Sequence, residues 1–270
     1  MEYGLFAKTF KWVLMSGKKD ITNAYFTCVA VFFFFMNLNI ITSNIPGDKV
    51  SLMISENMTK NIVFAIIYTI VGTNAMFNNM NTKEKRLMFK MLPSSDRYKF
   101  LSCFLIYTVV WVIGVVVAFV TADLLGMLLR QLWYGDYICS GTAILLDKAY
   151  WTDHIHFLSE NVPTGIALLL LAAGTILLNS IYALGGTFFS KAKFLFTSLI
   201  ILILFIIAIT MNISIDPERL SNIVIDIHVD KTIEACIASA VCLIIAVFNY
   251  WLSYRLFKRM QVINNKWINI

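Results

Sequence analysis

Six apolar runs partition this chain, at 21–43, 61–80, 100–122, 161–190, 194–215 and 235–254, and none of them contains a Lys, Arg, Asp or Glu. About 20 apolar residues make a helix that crosses roughly 30 Å of hydrocarbon, so each run predicts one membrane-spanning helix. The fourth run is about 30 residues long, so its helix tilts or continues past the bilayer on one side. Ahead of the first run, residues 1–20 alternate at helical spacing. Tyr3, Phe6, Phe10, Val13 and Leu14 recur every three or four residues, with Lys8, Lys11 and Lys18 elsewhere around the wheel. This pattern predicts an amphipathic interfacial helix with Phe6, Phe10 and Leu14 toward the acyl boundary and the lysines in water. Gly17 and the Lys18-Lys19-Asp20 triplet predict a turn into the first span.

The polar segments between the runs carry patterns of their own. In 123–160, Leu124, Leu125, Met127, Leu128 and Leu132 extend the third run as an amphipathic tail, and 143–158 predicts a second surface helix. Trp133, Tyr134, Tyr137, Tyr150 and Trp151 are the ring types that settle at headgroup level. In 212–234, Pro217 precedes a period-two run at 223–229, a signal for a short extracellular strand or re-entrant segment. There is no internal repeat and no low-complexity linker, so 1–270 reads as a single transmembrane domain.

Composition agrees with the pattern. The chain is 59% hydrophobic and 14% charged, with mean hydropathy +0.75, where soluble domains are nearer half apolar and a quarter charged. Charge adds an orientation. With the N-terminus inside, 16 of the 22 Lys and Arg fall on the cytoplasmic side and 12 of the 16 acids fall outside. Basic residues flanking the spans stay cytoplasmic, so the fold class is an all-α membrane protein with six transmembrane helices, N-in and C-in, in the inner (cytoplasmic) membrane. The net charge of +6 comes from juxtamembrane clusters. It suits anionic membrane lipids as partners and gives no nucleic-acid signature. The 21–43 run is too long for a signal peptide and reads as a retained span. Four of the five cysteines, Cys28, Cys103, Cys236 and Cys242, fall in the runs, and only Cys139 lies in an outer segment. That is no disulfide framework.

Little in the sequence points to catalysis. Asp153-His154-Ile155-His156 is the one cluster with ligand chemistry, and the third histidine, His228, is far away in sequence. A zinc site needs three or four ligands, so a solvated polar loop is the simpler reading. There is no GxxxxGK(S/T) phosphate loop, HExxH helix or GxSxG elbow. The chain is expected to be no enzyme and to hold no cofactor or metal. The runs also lack the ionisable residues that serve as proton relays in transporters. Thr73, Asn74, Asn78, Asn79 and Asn179 could coordinate sodium, or could bond across helix interfaces beside the small residues Ala172, Ala173, Gly174 and Ser180. Active transport by this chain would draw its energy from another polypeptide.

The segment between the second and third runs is different in kind. Residues 82–92 place Leu87 with Met91, and Met88 with Leu92, at i and i+4, with Phe89 nearby and Lys83, Lys85, Arg86 and Lys90 around them. Pro93 disfavours helix at Leu92. Ser94 or Ser95 can cap a new helix with Asp96 in its first turn. A short cytoplasmic helix, a hinge and a return to the membrane are predicted. An ordinary basic loop would not put Leu87, Met88, Phe89, Met91 and Leu92 in water.

With Glu84, the apolar 87–91 stretch, Leu92-Pro93-Ser94-Ser95 and Arg97-Tyr98-Lys99, this region resembles the coupling helix of ABC-2 type exporter membrane subunits. The six runs and the amphipathic N-terminus resemble the same family over nearly the whole chain. Where that family carries short re-entrant helices between spans five and six, this chain has its longer external segment after span three. The resemblance implies a permease subunit that pairs with a second permease half and binds a separate ABC ATP-binding subunit. It implies partner contacts at Glu84, Leu87, Met88, Phe89, Met91, Leu92, Pro93 and Ser94. A lipid-like or amphipathic cargo suits the charge-free runs. The alternatives are a sodium-coupled or passive carrier, and a non-transporting scaffold or immunity protein.

The charge split generates a direct test of topology. Cysteines substituted at Lys90, Lys193 and Lys258 should resist a membrane-impermeant thiol reagent in intact cells, whereas those at Asn57 and Asn212 should react. Labelling at position 90 or 193 would reject the orientation.

Overall fold

The structure, a computed structural model, describes residues 2–42, 50–80, 82–134, 139–155, 162–189, 192–214 and 231–259. The described residues are helical throughout their regular structure. Five segments are long and apolar enough to cross a membrane: Gly4–Leu38, Leu52–Phe77, Asp96–Trp133, Thr164–Phe188 and Lys231–Arg259. Lys193–Ile207 adds a shorter apolar stretch. The chain is therefore a multi-pass membrane protein, all-helical over its described residues. It divides into two compact units, Met1–Phe157 and Leu158–Ile270.

In the first unit, α1 (Glu2–Thr42) is one helix of 41 residues. At 1.5 Å per residue it is about 60 Å long, twice the hydrocarbon thickness. The turn expected at 17–20 is absent, because Gly17 is used for contact and not for a break. A Cβ there would lie 2.9 Å from the Tyr107 hydroxyl. α1 packs on α2 (Val50–Asn74) and on a long composite helix made of α4 (Asp96–Phe104), a π-helical turn (Leu105–Val110) and α5 (Trp111–Tyr134). A 3₁₀ segment, Ala75–Met80, and the short helix α3 (Lys83–Lys90) join α2 to α4.

The core of this unit is aromatic and small. Phe32 is fully buried, with edge-on contacts to Phe64 at 5.2 Å and Phe119 at 5.4 Å. Ala118 and Ala122 leave the space that these rings fill. A second cluster joins Met36, Ile54, Met58 and Tyr150 beneath α6 (Gly141–Leu146) and α7 (Lys148–Ile155). The single surface helix expected at 143–158 is thus two, broken at Asp147, whose extended backbone ends α6. Its carboxylate accepts from the Ala149 amide at 3.0 Å. Tyr150, expected at headgroup level, is 5% exposed and belongs to the core, while Trp133 is 68% exposed.

The second unit comprises α8 (Thr164–Phe188), α9 (Lys193–Ser214) and α10 (Lys231–Arg259). Helices pack in lipid through small residues and shared hydrogen bonds, and α8 meets α10 in that way. Asn249 donates to Ser180 Oγ at 3.1 Å, and Ser253 is bonded to Thr187 at 3.3 Å. Of the small residues expected at an interface, Ala173 and Ser180 are buried, but Ala172 faces outward and a Cβ on Gly174 would meet nothing within 4 Å. The buried stripe instead continues through Ala183 and Thr187. The alternating run at 223–229 lies outside the described residues.

Gly72 shows how closely the first unit is packed. A Cβ there would fall 2.2 Å from the Trp111 indole nitrogen, which donates to the Tyr68 carbonyl at 3.0 Å. Gly72→Ala should therefore displace Trp111 and cost roughly 1–3 kcal/mol. Thermal unfolding in detergent should show a lowered Tm, with Gly165→Ala, where nothing lies within 4 Å of the added carbon, at or above the parent value.

Candidate functional site

α3 is a helix of eight residues with both ends specified locally. Thr82 has extended backbone and its hydroxyl accepts from the Lys85 amide at 3.3 Å, satisfying one of the orphan donors of the first turn. Glu84 sits in the first turn and Lys90 in the last, each favourable to the helix dipole. Beyond Met91 the chain turns through Leu92, Pro93 and Ser94. Ser95 then caps α4 by accepting from the Tyr98 amide at 3.5 Å, with Asp96 in the first turn. Of the two candidate serines, Ser95 is the cap. Ser94 Oγ is buried without a hydrogen-bond partner.

Three tethers hold α3. Arg86, only 6% exposed, donates Nε to the Met80 carbonyl at 3.3 Å, which ties α3 to the 3₁₀ segment. Burial pulls its pKa below the ordinary value, yet an arginine side chain stays charged. Phe89 is fully buried, its ring 5.7 Å from that of Trp12 on α1. Across the hinge, Lys90 pairs with Asp96 at 3.5 Å, and Lys99 donates to the Lys90 carbonyl at 2.8 Å. That last bond satisfies a carbonyl the helix end leaves without an intrahelical donor. α3 is thus fastened to the 3₁₀ segment, to α1 and to α4.

The outward face of α3 carries three apolar side chains beside the exposed Glu84 and Lys85. Leu87 is 41% exposed, Met88 65% and Met91 77%. Glu84 and Pro93 are also exposed and Leu92 is half-buried. Phe89 departs from the expectation, since it faces inward and its ring is used by Trp12. The N-terminal aromatics turn inward too. Phe6 contacts Phe10 at 6.1 Å and Tyr98 at 5.9 Å, and Val13 is fully buried. Of the residues assigned to the acyl boundary, Leu14 is exposed, as are Leu5 and Met15. Phe6 and Phe10 are each half-buried.

A second polar centre went unread in the sequence. Asp123 and Arg130, seven residues apart on α5, lie on one helical face and are 1% and 0% exposed. They pair at 3.1 Å, and Arg130 also donates to Asn37 on α1 at 3.0 Å. Asp123 accepts from the Gly141 and Thr142 amides, each at 2.9 Å, and from the Ser140 and Thr142 hydroxyls, each at 2.8 Å. One carboxylate thus pins the start of α6 onto α5. Both charges had been assigned to an exposed outer segment, but α5 runs on to Tyr134 and carries them inward. The available signal was the i, i+7 spacing of opposite charges on an apolar helix.

The remaining candidates do not assemble. Thr73 donates to the Thr69 carbonyl and Asn179 to the Thr175 carbonyl, both within their own helices. His156 and His228 lie outside the described residues, and among the described residues no His, Cys, Asp and Glu side chains cluster as metal ligands. Asn57 is 1% exposed, so a cysteine there would be silent to an impermeant reagent on either side. Leu146, 88% exposed, replaces it as the outer reporter.

Asp123→Asn should leave Arg130 buried without its counter-charge, at about 3–5 kcal/mol. Faster amide hydrogen exchange across 141–155, with 83–99 unchanged, is the expected readout. Comparison with known proteins returned no match to a family model, to a curated protein or to a solved structure.

Proposed function

We propose that this chain is the membrane permease subunit of an ATP-driven ABC exporter of the ABC-2 type. In this reading six helices span the membrane with both termini cytoplasmic, and α9 supplies the sixth. A second permease half completes the pathway, and α3 docks into a separate ATP-binding subunit. The observation that carries the reading is the face of Leu87, Met88 and Met91. These apolar side chains are exposed on a short capped helix whose other side is fastened to α1, the 3₁₀ segment and α4. Exposed apolar patches rimmed by polar residues mark interaction sites, and methionine adapts to a partner's contours. The tethers supply what coupling requires: a docked helix that cannot move without its spans. ATP-driven closure of the partner would then shift α1 and α4 together.

Leu87→Ala with Met91→Ala removes two contacts. Full burial of each such side chain is worth roughly 1.5–3 kcal/mol, so affinity for the ATP-binding subunit should fall about a hundredfold. Lys85→Ala should be mild, since exposed ion pairs contribute about 0–1 kcal/mol. Phe89→Ala is unsuitable as a docking probe because it would loosen α3 itself. Co-purification in mild detergent, together with ATPase activity, checks the expectation. A double variant that keeps its partner and its coupling while Lys85→Ala loses them would show an electrostatic loop instead.

A further inference from the structure

A cleft of about 340 Å³ opens on the flank of the first unit, between α1, α2 and the start of α5. Its walls include Ile21, Thr22, Tyr25, Tyr68, Trp111 and Gly114, and its size is that of a small-ligand site. The polar groups of its aromatic walls already have hydrogen-bond partners within the protein. The Tyr68 hydroxyl donates to the Ala24 carbonyl at 2.6 Å, and Trp111 donates to the Tyr68 carbonyl. The Tyr25 hydroxyl bonds Thr121 Oγ1 at 3.2 Å. An occupant that needs hydrogen bonds would find few here, whereas a hydrocarbon chain needs none.

Gly114 indicates that the space is kept open. A Cβ added there would meet nothing within 4 Å, in contrast to Gly72 on the facing helix. Glycine weakens a helix relative to alanine, and at this position it gains no close helix contact in return. The π-helical turn ends at Val110, on the wall of the same cleft, and such turns occur often at functional sites. Charge precedes the cleft along α1. Lys18 is exposed and stands three, four and seven residues before Ile21, Thr22 and Tyr25, so it shares their helical face. Asp20 lies about 200° around the helix from it.

We propose that this cleft binds one acyl chain of an anionic phospholipid, with the headgroup phosphate held at Lys18. The walls select the chain, and Lys18, one turn before Ile21 and Thr22 with the exposed Lys19 next to it, selects the charge. The assignment involves α1, α2 and α5 but not the docking face of α3, so it stands or falls separately from the exporter reading.

The test uses the purified full chain in mild detergent, titrated with phosphatidylglycerol or with phosphatidylcholine of the same acyl chains. Bound lipid is counted by native mass spectrometry. One phosphatidylglycerol should bind in preference to phosphatidylcholine. Lys18→Gln should lower that affinity about fivefold, to the phosphatidylcholine level, as expected for one basic residue at a membrane surface. Lys11→Gln should leave it unchanged. Gly114→Leu should weaken both lipids about tenfold or more by filling the cleft. If that variant loses helicity, Gly114→Val makes the same test with a smaller fill. Undiminished binding of both lipids by a folded cleft-filling variant overturns the proposal. So does an unchanged phosphatidylglycerol preference in Lys18→Gln, or binding of glycerol phosphate alone with equal affinity.

Discussion

A backbone amide or carbonyl in hydrocarbon has no water to bond, and leaving it unpaired costs several kcal/mol. This chain meets that constraint with helices in every described apolar segment, and several of its buried side-chain polar groups follow the same rule. Thr73, Ser180, Thr187, Thr197 and Ser239 each donate back to a carbonyl of their own helix. Where that is insufficient, the polar groups gather. Asp123 serves Arg130, two backbone amides and two hydroxyls at once, and so fixes α6 without another charged group. The cluster turns a helix end into an attachment point.

The junction between α2 and α4 uses the same economy for a different purpose. A helix of eight residues cannot hold its own shape in water. α3 is stable because caps, a buried aromatic, Arg86 bonded to the Met80 carbonyl and Lys99 bonded to the Lys90 carbonyl bind it to three neighbours. The residues left over on the outer face are Leu87, Met88 and Met91, with Glu84 and Lys85 among them. A segment that is rigid on one side and hydrophobic on the other is physically suited to transmit a docking event. That is why the proposed contact with an ATP-binding subunit rests on α3 and not on the basic residues around it.

Glycines mark both extremes of packing in the first unit. At Gly72 the Trp111 indole occupies the place of a side chain, and at Gly114 nothing does. The first gives a helix crossing its closeness, and the second leaves a cleft beside the aromatic wall. In a protein interior, space of that kind is normally filled by side chains. Beside a membrane it is available to a lipid.

The sequence by itself determined the helical, membrane-spanning class, because apolar runs of about 20 residues without charge have one low-energy structure in a bilayer. It also determined the helix, hinge and helix at 82–99, since Thr82, Pro93, Ser95 and Asp96 act through neighbours three or four residues away. Only the tertiary structure decided which face of each helix is used. Phe89 and Leu87 are two residues apart and equally apolar, yet one meets Trp12 and the other meets solvent. Phe6 and Phe10 fit an interfacial pattern, and the structure adds a contact between them and one from Phe6 to Tyr98 on α4. Asp123 and Arg130 read as loop charges until α5 carried them inward to Asn37 and Ser140. Local rules act through bonds within one or two helical turns. Burial is set by a partner that lies up to a hundred residues away in sequence, and spacing within a single helix holds no record of that partner.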